Sequence, residues 1–261
     1  MLRAFGVTDT GRVRPSNEDC FAIDDRLALC VIADGMGGHN AGEVASRMTV
    51  DAVSEFVAQW STAEPADSGD PDLDKTWPFG YDMHFSKDAN LLRTAIQIAN
   101  VQILEASSHS DEYAGMGTTI VAARVTGDRL TVAHVGDSRL YLKTAAGLRA
   151  LTRDDSWLAA IISQNPDTDP AIFKQHPMRN ALTAVVGALP RIDVHLREVG
   201  LAPGDTLMMS TDGVHGVLDE ARLTDLMRGD DLQEIAKRIV FAAMDAGSTD
   251  NCTAIIGRYD S

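Results

Sequence analysis

Four aspartates stand where an apolar, strand-like run meets a turn, and they are the residues best suited to chemistry. Asp34 ends the run VIAD before Gly35, Asp137 follows VAHVG, and Asp212 follows LMMST. The fourth, Asp250, comes just before the run CTAII. Each alone fits an ordinary turn, but together they are typical of functional side chains displayed at the ends of packed strands.

Carboxylates that converge in one place repel each other unless protons or cations neutralise them. Hard divalent cations with oxygen ligands suit such a set. Because the aspartates have no His or Cys at ligand spacing beside them, the pattern favours Mg²⁺ or Mn²⁺ over zinc.

The elements that must position these aspartates come in blocks of strands and blocks of helices. Apolar residues at helical spacing predict helices over 41–60, 89–107, 219–227 and 232–246. Short apolar runs bounded by turn residues predict strands over 3–8, 20–23, 27–33, 118–125, 129–135, 139–143, 147–151, 193–199, 205–210 and 252–258. This order favours an α+β layered domain with antiparallel sheets over a doubly wound parallel sheet.

Length, charge and cysteine content narrow the classes of function. A chain of 261 residues with 44% hydrophobic content can form one domain over 1–261 with a large core. Its net charge of -15 opposes binding to nucleic acid or to an anionic membrane surface. Three cysteines without a disulfide pattern, no signal peptide and no long apolar run predict a soluble, cytoplasmic protein without direct membrane insertion. We expect it to be a monomer.

Short segments along nearly the whole chain form a recognisable series. They are GRVRPSNED (11–19), ADGMGGHNAGEVAS (33–46), GMGTT (115–119), HVGDSRLYL (134–142), LTRDDS (151–156), HPMRNALT (176–183), STDG (210–213) and TDNCT (249–253). In this order they resemble the bacterial branch of the metal-dependent protein phosphatase 2C family. The resemblance implies a β-sandwich of two antiparallel sheets flanked by helices on both sides, with a flap over 152–187.

The resemblance also implies an activity and a set of metal ligands. The family hydrolyses phosphoserine and phosphothreonine in proteins. Asp34 would bridge two ions of Mn²⁺ or Mg²⁺, with the carbonyl of Gly35 on the first ion and with Asp212 and Asp250 on the second. Asp137, together with Asp212, would hold a third and weaker ion.

Other residues match positions around the metal site of the family. Arg14 would bind the substrate phosphate, and Glu18 and Asp19 would hydrogen-bond to metal-bound waters. Asn251 would place its amide beside the last metal ligand. The cysteines lie in apolar contexts, and no G-x-S-x-G or C-x-x-x-x-x-R motif offers another nucleophile.

One catalytic position departs from the pattern of eukaryotic relatives, which often have a histidine after the metal-site Asp-Gly. Here Met36 stands at that place, and the nearest histidine is His39. His39 could be the catalytic general acid, or it could cap the helix that begins near Ala41. The sequence leaves both interpretations open, and a metal-bound water is a third proton source.

Two segments are predicted to lie on the surface. Residues 61–88 form an acidic and aromatic insert, in which DPDLDK imitates a calcium loop but has Lys75 and Tyr81 where that loop requires glycine and glutamate. The aromatic stretch WPFGYDMHF either pins this insert to the domain or docks a partner. In the flap, Trp157 and Leu158 could touch a phosphoprotein or could make structural contacts alone.

The leading hypothesis is a serine/threonine phosphoprotein phosphatase that opposes a Ser/Thr kinase and includes that kinase among its phosphorylated partners. The alternative is a catalytically silent regulator that binds phosphoproteins with the same fold. A silent form would be expected to lose a metal ligand or the phosphate arginine, yet Arg14 and the four aspartates are all present. A third hypothesis, one dedicated regulatory phosphoserine as substrate, is disfavoured by the lack of an appended sensor domain.

Overall fold

The computed structural model describes residues 1–38, 41–61, 77–173 and 176–260. The strands in these ranges are β1 (Leu2–Asp9), β2 (Asp19–Asp24), β3 (Leu29–Met36), β4 (Gly117–Thr118), β5 (Ile120–Thr126), β6 (Arg129–Val135), β7 (Arg139–Thr144), β8 (Gly147–Ala150), β9 (His195–Gly200), β10 (Thr206–Ser210) and β11 (Cys252–Tyr259). The α-helices are α1 (Ala41–Trp60), α2 (Lys87–His109), α3 (Trp157–Gln164), α4 (Asp212–His215), α5 (Glu220–Leu226) and α6 (Leu232–Asp245).

The strands form two antiparallel sheets that pack face to face. Sheet 1 has the order β1-β11-β10-β7-β8, and sheet 2 has the order β2-β3-β5-β6-β9 with β4 paired to β3. Helices α1 and α2 cover the outer face of sheet 2, and α6 covers the outer face of sheet 1. The predicted α+β sandwich, with helices on both sides, is confirmed.

Strand β3 shows why the strands are continuous apolar runs in the sequence. Its side chains alternate between the two faces of sheet 2. Cys30 and Ile32 are buried between the sheets in the same cluster as Ile255, whereas Val31 and Ala33 are buried on the side of α1. Because both faces are covered, neither face of the strand carries an exposed polar stripe.

The predicted helices are present, with small differences at their ends. The helix predicted over 89–107 begins at Lys87, because Ser86 caps it by accepting a hydrogen bond from the N–H of Ala89 at 3.1 Å. The sequence does not predict α4, since four residues are too few for an amphipathic repeat. None of the helices in the described ranges has the length and apolar character that a membrane span requires.

Asp34 lies inside a strand, so the prediction that it ends one is wrong. Strand β3 continues through Gly35 and Met36, which pair with Thr118 and Gly117 of β4. The partner strand is only two residues long. Nothing in the local sequence therefore indicates that β3 is extended past the aspartate.

The insert predicted at 61–88 is described only in part, since residues 62–76 lie outside the described ranges. Trp77 is buried, and its ring meets that of Tyr81 edge-on with 4.9 Å between centroids. Both residues pack on the cluster formed by sheet 2, α1 and α2. These contacts favour the interpretation that the aromatic residues pin the insert to the domain.

The segment predicted as a flap, 152–187, leaves the sandwich after β8 and is closed at its base by backbone pairing. Ser156 forms an isolated bridge with Leu182, and Val186 forms another with Thr118 of β4. The two ends of the segment are thereby attached to sheet 2 and to each other. Its action as a flap stays a prediction.

Candidate metal centre

Most of the predicted site residues line one cleft at the end of the sandwich. The cleft has a volume of about 240 Å³. Its lining residues are Arg14, Glu18, Asp34, Gly35, Met36, Gly37, Thr119, Asp137, Asn180, Leu182, Asp212, Asp250 and Asn251. A larger groove of about 910 Å³ between α5 and α6 is lined by none of the predicted site residues. The predicted residue His39 lies outside the described residues.

The backbone of Asp34 is fixed by two threonines. Its N–H donates to Oγ1 of Thr119 at 3.0 Å, and its carbonyl oxygen accepts from Oγ1 of Thr118 at 2.8 Å. Because side chains alternate along β3, Asp34 shares the face of Ile32, which packs between the sheets. The carboxylate therefore stands where the inter-sheet core ends and the cleft begins.

Asp137 and Asp212 leave sheet 1 at the same edge. Strands β7 and β10 are antiparallel neighbours, and Arg139 at the start of β7 lies opposite Ser210 at the end of β10. Asp137 lies two residues before Arg139, just ahead of β7, and Asp212 lies two residues after Ser210, just beyond β10. The register thus brings the two carboxylates together although they are far apart in sequence.

The glycines that follow two of the aspartates allow a very close backbone approach. A Cβ atom on Gly35 would lie 2.0 Å from the carbonyl oxygen of Gly42. A Cβ atom on Gly213 would lie 1.9 Å from the carbonyl oxygen of Asn251. Both distances are far below van der Waals contact, so any side chain would push apart the segments that form the cleft.

Asn251 ties the N-terminal loop to the start of β11. Its Nδ2 donates to the carbonyl oxygens of Thr10 and Ser16, each at 2.9 Å. Its Oδ1 accepts from the N–H of Glu18 at 2.8 Å. The loop between these anchors carries Arg14. Asn251 therefore positions the guanidinium of Arg14 at the mouth of the cleft, a role that was not predicted from the sequence.

Asp19 lies opposite Asp34 in the pairing of β2 and β3 and is buried. Its Oδ2 accepts hydrogen bonds from Thr211 at 2.8 Å and Thr253 at 2.6 Å. Burial raises the pKa of Asp19 to about 7, although the two threonine hydroxyls oppose this shift. Its Oδ1 has no partner within the described part of the chain, which suits the predicted hydrogen bond to a bound water.

Burial and crowding raise the pKa of the carboxyl groups in the cleft. Burial is the main cause of a pKa of Asp34 well above its usual value, and the charge of Asp19 adds to it. Burial also raises the pKa of Asp137 to about 7, followed by repulsion from Asp212. The pKa of Asp212 is raised first by burial and then by Asp250. Without a cation, these groups therefore bind protons more readily than free carboxyl groups do, and a cation would compete with those protons.

Arg14 reaches the cleft from its exposed loop. Its Nη2 lies 2.6 Å from Oδ2 of Asp250, and about half of its side chain remains accessible. Glu18 lies on the same side of the cleft, and burial is the main cause of its raised pKa. The mouth of the cleft thus combines the positively charged guanidinium of Arg14 with carboxyl groups that can donate or accept a proton.

The donor set of the cleft fits a hard divalent cation, because the oxygen donors in its lining are carboxylates together with amide and hydroxyl groups. Over residues 1–38, 41–61, 77–173 and 176–260, however, no group of three or more His, Cys, Asp or Glu is already arranged as a metal-binding cluster. The carboxylates share a cleft without forming a closed ligand shell. A cation would draw the carboxylates toward it and would compete with Arg14 for Oδ2 of Asp250.

The family model described as Protein phosphatase 2C matches residues 12–247, which is most of the chain. The chain belongs to the protein phosphatase 2C family. The serine/threonine phosphatase stp of Listeria welshimeri is 31% identical over 253 residues, which cover 95% of this chain and 92% of that protein. The predicted family and the predicted enzyme class, a protein-serine/threonine phosphatase, are confirmed.

Solved structures of protein phosphatase 2C relatives have the same fold over the whole chain. The serine/threonine phosphatase PstP/Ppp of Mycobacterium tuberculosis gives a TM-score of 0.82 at 28% identity and covers 100% of this chain and 99% of that one. The catalytic domain of PstP in complex with two manganese ions gives a TM-score of 0.80 at 26% identity, with the same coverage. The predicted dependence on metal is therefore supported by a relative that binds two ions.

Several residues of the protein phosphatase 2C cleft were not predicted as site residues. Met36 lines it from the end of β3, Thr119 lines it from between β4 and β5, and Asn180 and Leu182 line it from the flap. Thr119 stands in the segment GMGTT, and Asn180 and Leu182 stand in HPMRNALT. Both segments carried the resemblance, so the signal was present, but their side chains lack the charge that marks metal ligands.

Proposed function

We propose that this chain removes phosphate from phosphoserine and phosphothreonine in proteins with the help of Mn²⁺ or Mg²⁺. The observation that carries the proposal is the convergence of Asp34, Asp137, Asp212 and Asp250 beside Arg14 in one cleft. The names of the relatives, which are serine/threonine phosphatases, support the same substrate class.

The proposed ligands follow the sequence prediction. Asp34 would bridge two core ions, the carbonyl of Gly35 would bind the first, and Asp212 and Asp250 would bind the second. Asp137, with Asp212, would hold a third and weaker ion. When bound, the cations would neutralise the carboxylates and supply Lewis-acid activation of a water molecule.

The other residues of the cleft would bind and orient the substrate. Arg14 would hold phosphate oxygens through charge-assisted hydrogen bonds, since its side chain lines the cleft and is about half accessible even when paired with Asp250. Asp19 and Glu18 would accept hydrogen bonds from waters in the cleft, and Asn251 would keep the loop of Arg14 in place.

The same proposal extends to the cellular role. The chain would act as a cytoplasmic monomer on phosphorylated proteins and would oppose a Ser/Thr kinase that is itself one of its substrates. The net charge of -15 supports protein substrates over nucleic acid. The alternative, a silent binder of phosphoproteins, is disfavoured because the described residues retain the phosphate arginine and the four aspartates in one cleft.

Phosphate release from a phosphothreonine peptide tests this proposal. We expect turnover with added Mn²⁺, loss of turnover with EDTA, and recovery when Mn²⁺ is added in excess of the chelator. Turnover that survives EDTA would contradict metal dependence. Binding of the peptide without turnover under every metal condition would favour the silent regulator.

A further inference from the structure

Asp155, at the base of the flap, is bonded to three separate parts of the chain. Its Oδ2 accepts from the N–H of Gly136 at 2.9 Å, and its Oδ1 lies 2.9 Å from Nε2 of His195. Its own N–H donates to the carbonyl oxygen of Gly136 at 3.0 Å, and its carbonyl oxygen accepts from the N–H of Thr183 at 2.8 Å. The side chain is only 14% exposed.

The contact with Gly136 fixes the turn that carries Asp137. Gly136 has a φ of 99°, and a Cβ atom there would lie 2.7 Å from Cγ2 of Thr119. Asp155 binds both the N–H and the carbonyl of this glycine, so the turn is held at both polar groups. Because Thr119 also binds the N–H of Asp34, these contacts set Asp137 relative to Asp34.

The contact with Thr183 fixes the segment of the flap that returns to the cleft. Asn180 and Leu182 line the cleft, and Leu182 bridges to Ser156. Asp155 and Ser156 therefore hold this returning segment at adjacent positions. A shift of Asp155 would move the turn of the metal site and the flap wall of the cleft together.

We propose that Asp155 is a positioning residue that couples the base of the flap to the turn of Asp137 and so sets the entrance that a phosphopeptide uses. The inference rests on the proposed function and deepens it. His195, on β9, supports the carboxylate of Asp155 from the side away from Gly136. Asp154, the neighbouring acid, makes a different contact, a bidentate pair with Arg139 at 2.8 and 2.7 Å.

Three variants of the full chain separate positioning from simple stability. Asp155→Ala removes both carboxylate contacts, whereas Asp155→Asn keeps an oxygen for Gly136 and an amide beside His195. Asp167→Ala, an exposed aspartate of the same flap, is the control. We expect KM for a phosphothreonine peptide to rise about tenfold in Asp155→Ala with a smaller change in kcat, and Asp155→Asn to return KM to within about threefold of wild type.

Amide hydrogen exchange tests the same coupling without turnover. Asp155→Ala should speed exchange at the N–H groups of Gly136 and Thr183 by about tenfold, and Asp167→Ala should leave both unchanged. If Asp155→Ala fails to fold, His195→Ala removes the Oδ1 contact and the ring packing on His134 but leaves Oδ2 on Gly136, and it should raise KM in the same direction by a smaller factor.

The proposal is overturned if KM stays within twofold of wild type in Asp155→Ala, or if Asp155→Asn is as impaired as Asp155→Ala. It is also overturned if His195→Ala leaves KM unchanged, or if the exchange of both N–H groups is unaltered. A wild-type protein without phosphatase activity would instead contradict the proposed function, and the exchange measurement would still decide whether Asp155 joins the two segments.

Discussion

Nη2 of Arg14 lies 2.6 Å from Oδ2 of Asp250. The residue proposed to bind phosphate is therefore paired with a residue proposed to bind metal. The contact uses one carboxylate oxygen and one guanidinium nitrogen, so the other oxygen of Asp250 and the remaining N–H groups of Arg14 stay available for a cation and for phosphate.

Replacement of Arg14 separates phosphate binding from metal binding. We expect Arg14→Ala to lower kcat/KM for a phosphothreonine peptide by about 10²-fold, because charge-assisted hydrogen bonds to phosphate are lost. The affinity for Mn²⁺, measured by titration calorimetry, should not fall, since Asp250 loses a competing cation. Arg12→Ala is the matched control, because Arg12 stands in the same loop and pairs with Asp245 on the surface at 2.5 Å. Equal loss of both properties in Arg14→Ala would mean that Arg14 supports the fold.

Asp137 makes the metal-free protein less stable as the pH rises. Burial raises its pKa to about 7 in the folded protein from a usual 3.8, so the folded state holds the proton more tightly than the unfolded chain does. This contribution to stability is complete below about pH 4 and is lost as the pH rises through about 7. In EDTA, Asp137→Asn should therefore stabilise the protein by on the order of 1–2 kcal/mol more at about pH 8 than at about pH 5.

A comparison of the two proteins is needed because buried histidines titrate in the opposite sense. Burial lowers the pKa of His134 and of His215, so their contribution to stability is lost as the pH falls. Both histidines are present in both proteins, and their effect cancels in the difference between urea unfolding curves. A stabilisation by Asp137→Asn that is equal at the two pH values, or larger at the lower one, would argue against a raised pKa at this position.

Asn251 is expected to matter for stability and for substrate binding alike. Its side chain makes three hydrogen bonds to the backbone of the loop that carries Arg14. Asn251→Ala should lower the free energy of unfolding by about 2–3 kcal/mol and should raise KM for a phosphopeptide. Asn165→Ala, which replaces an exposed asparagine of the flap, should change neither. A fully stable Asn251→Ala protein would show that the loop is held by other contacts.

Gly35 and Gly38 lie in one motif and should respond differently to alanine. A Cβ atom on Gly35 would lie 2.0 Å from the carbonyl oxygen of Gly42, whereas a Cβ atom on Gly38 meets nothing within 4 Å among the described residues. Gly35→Ala should therefore destabilise the protein by about 2 kcal/mol or more, and Gly38→Ala should change stability by less than about 1 kcal/mol. Thermal unfolding of both variants measures this contrast, and equal midpoints would show that the backbone at Gly35 has room to relax.

The sequence predicted the fold well because the sandwich is built from strong local patterns. Strand β3 is apolar on both faces, and α1 repeats apolar residues at helical spacing, so each element is evident without knowledge of its neighbours. The position of Asp34 inside its strand was predicted wrongly, because the strand is extended by a partner of only two residues. A strand of two residues is too short to produce an alternating hydrophobic pattern in the sequence.

Long-range contacts in the cleft were beyond sequence reasoning. Asn251 binds Thr10 and Ser16, which stand more than 230 positions earlier in the chain. Within RDDS, Asp154 pairs with Arg139 and Asp155 holds the turn at Gly136. No feature of the neighbouring sequence distinguishes Asp154 from Asp155, because their roles depend on which strands meet at the base of the flap.

The clustered aspartates are proposed to drive metal-dependent removal of phosphate. The most direct measurement is the initial rate of phosphate release from a phosphothreonine peptide in saturating Mn²⁺ by the wild type, Asp212→Ala and Asp128→Ala. Asp128 is an exposed aspartate in the turn between β5 and β6 and is the control. We predict that Asp212→Ala retains less than about 1% of the wild-type rate and that Asp128→Ala stays within about twofold of it. A wild-type rate in Asp212→Ala would contradict the proposed metal site.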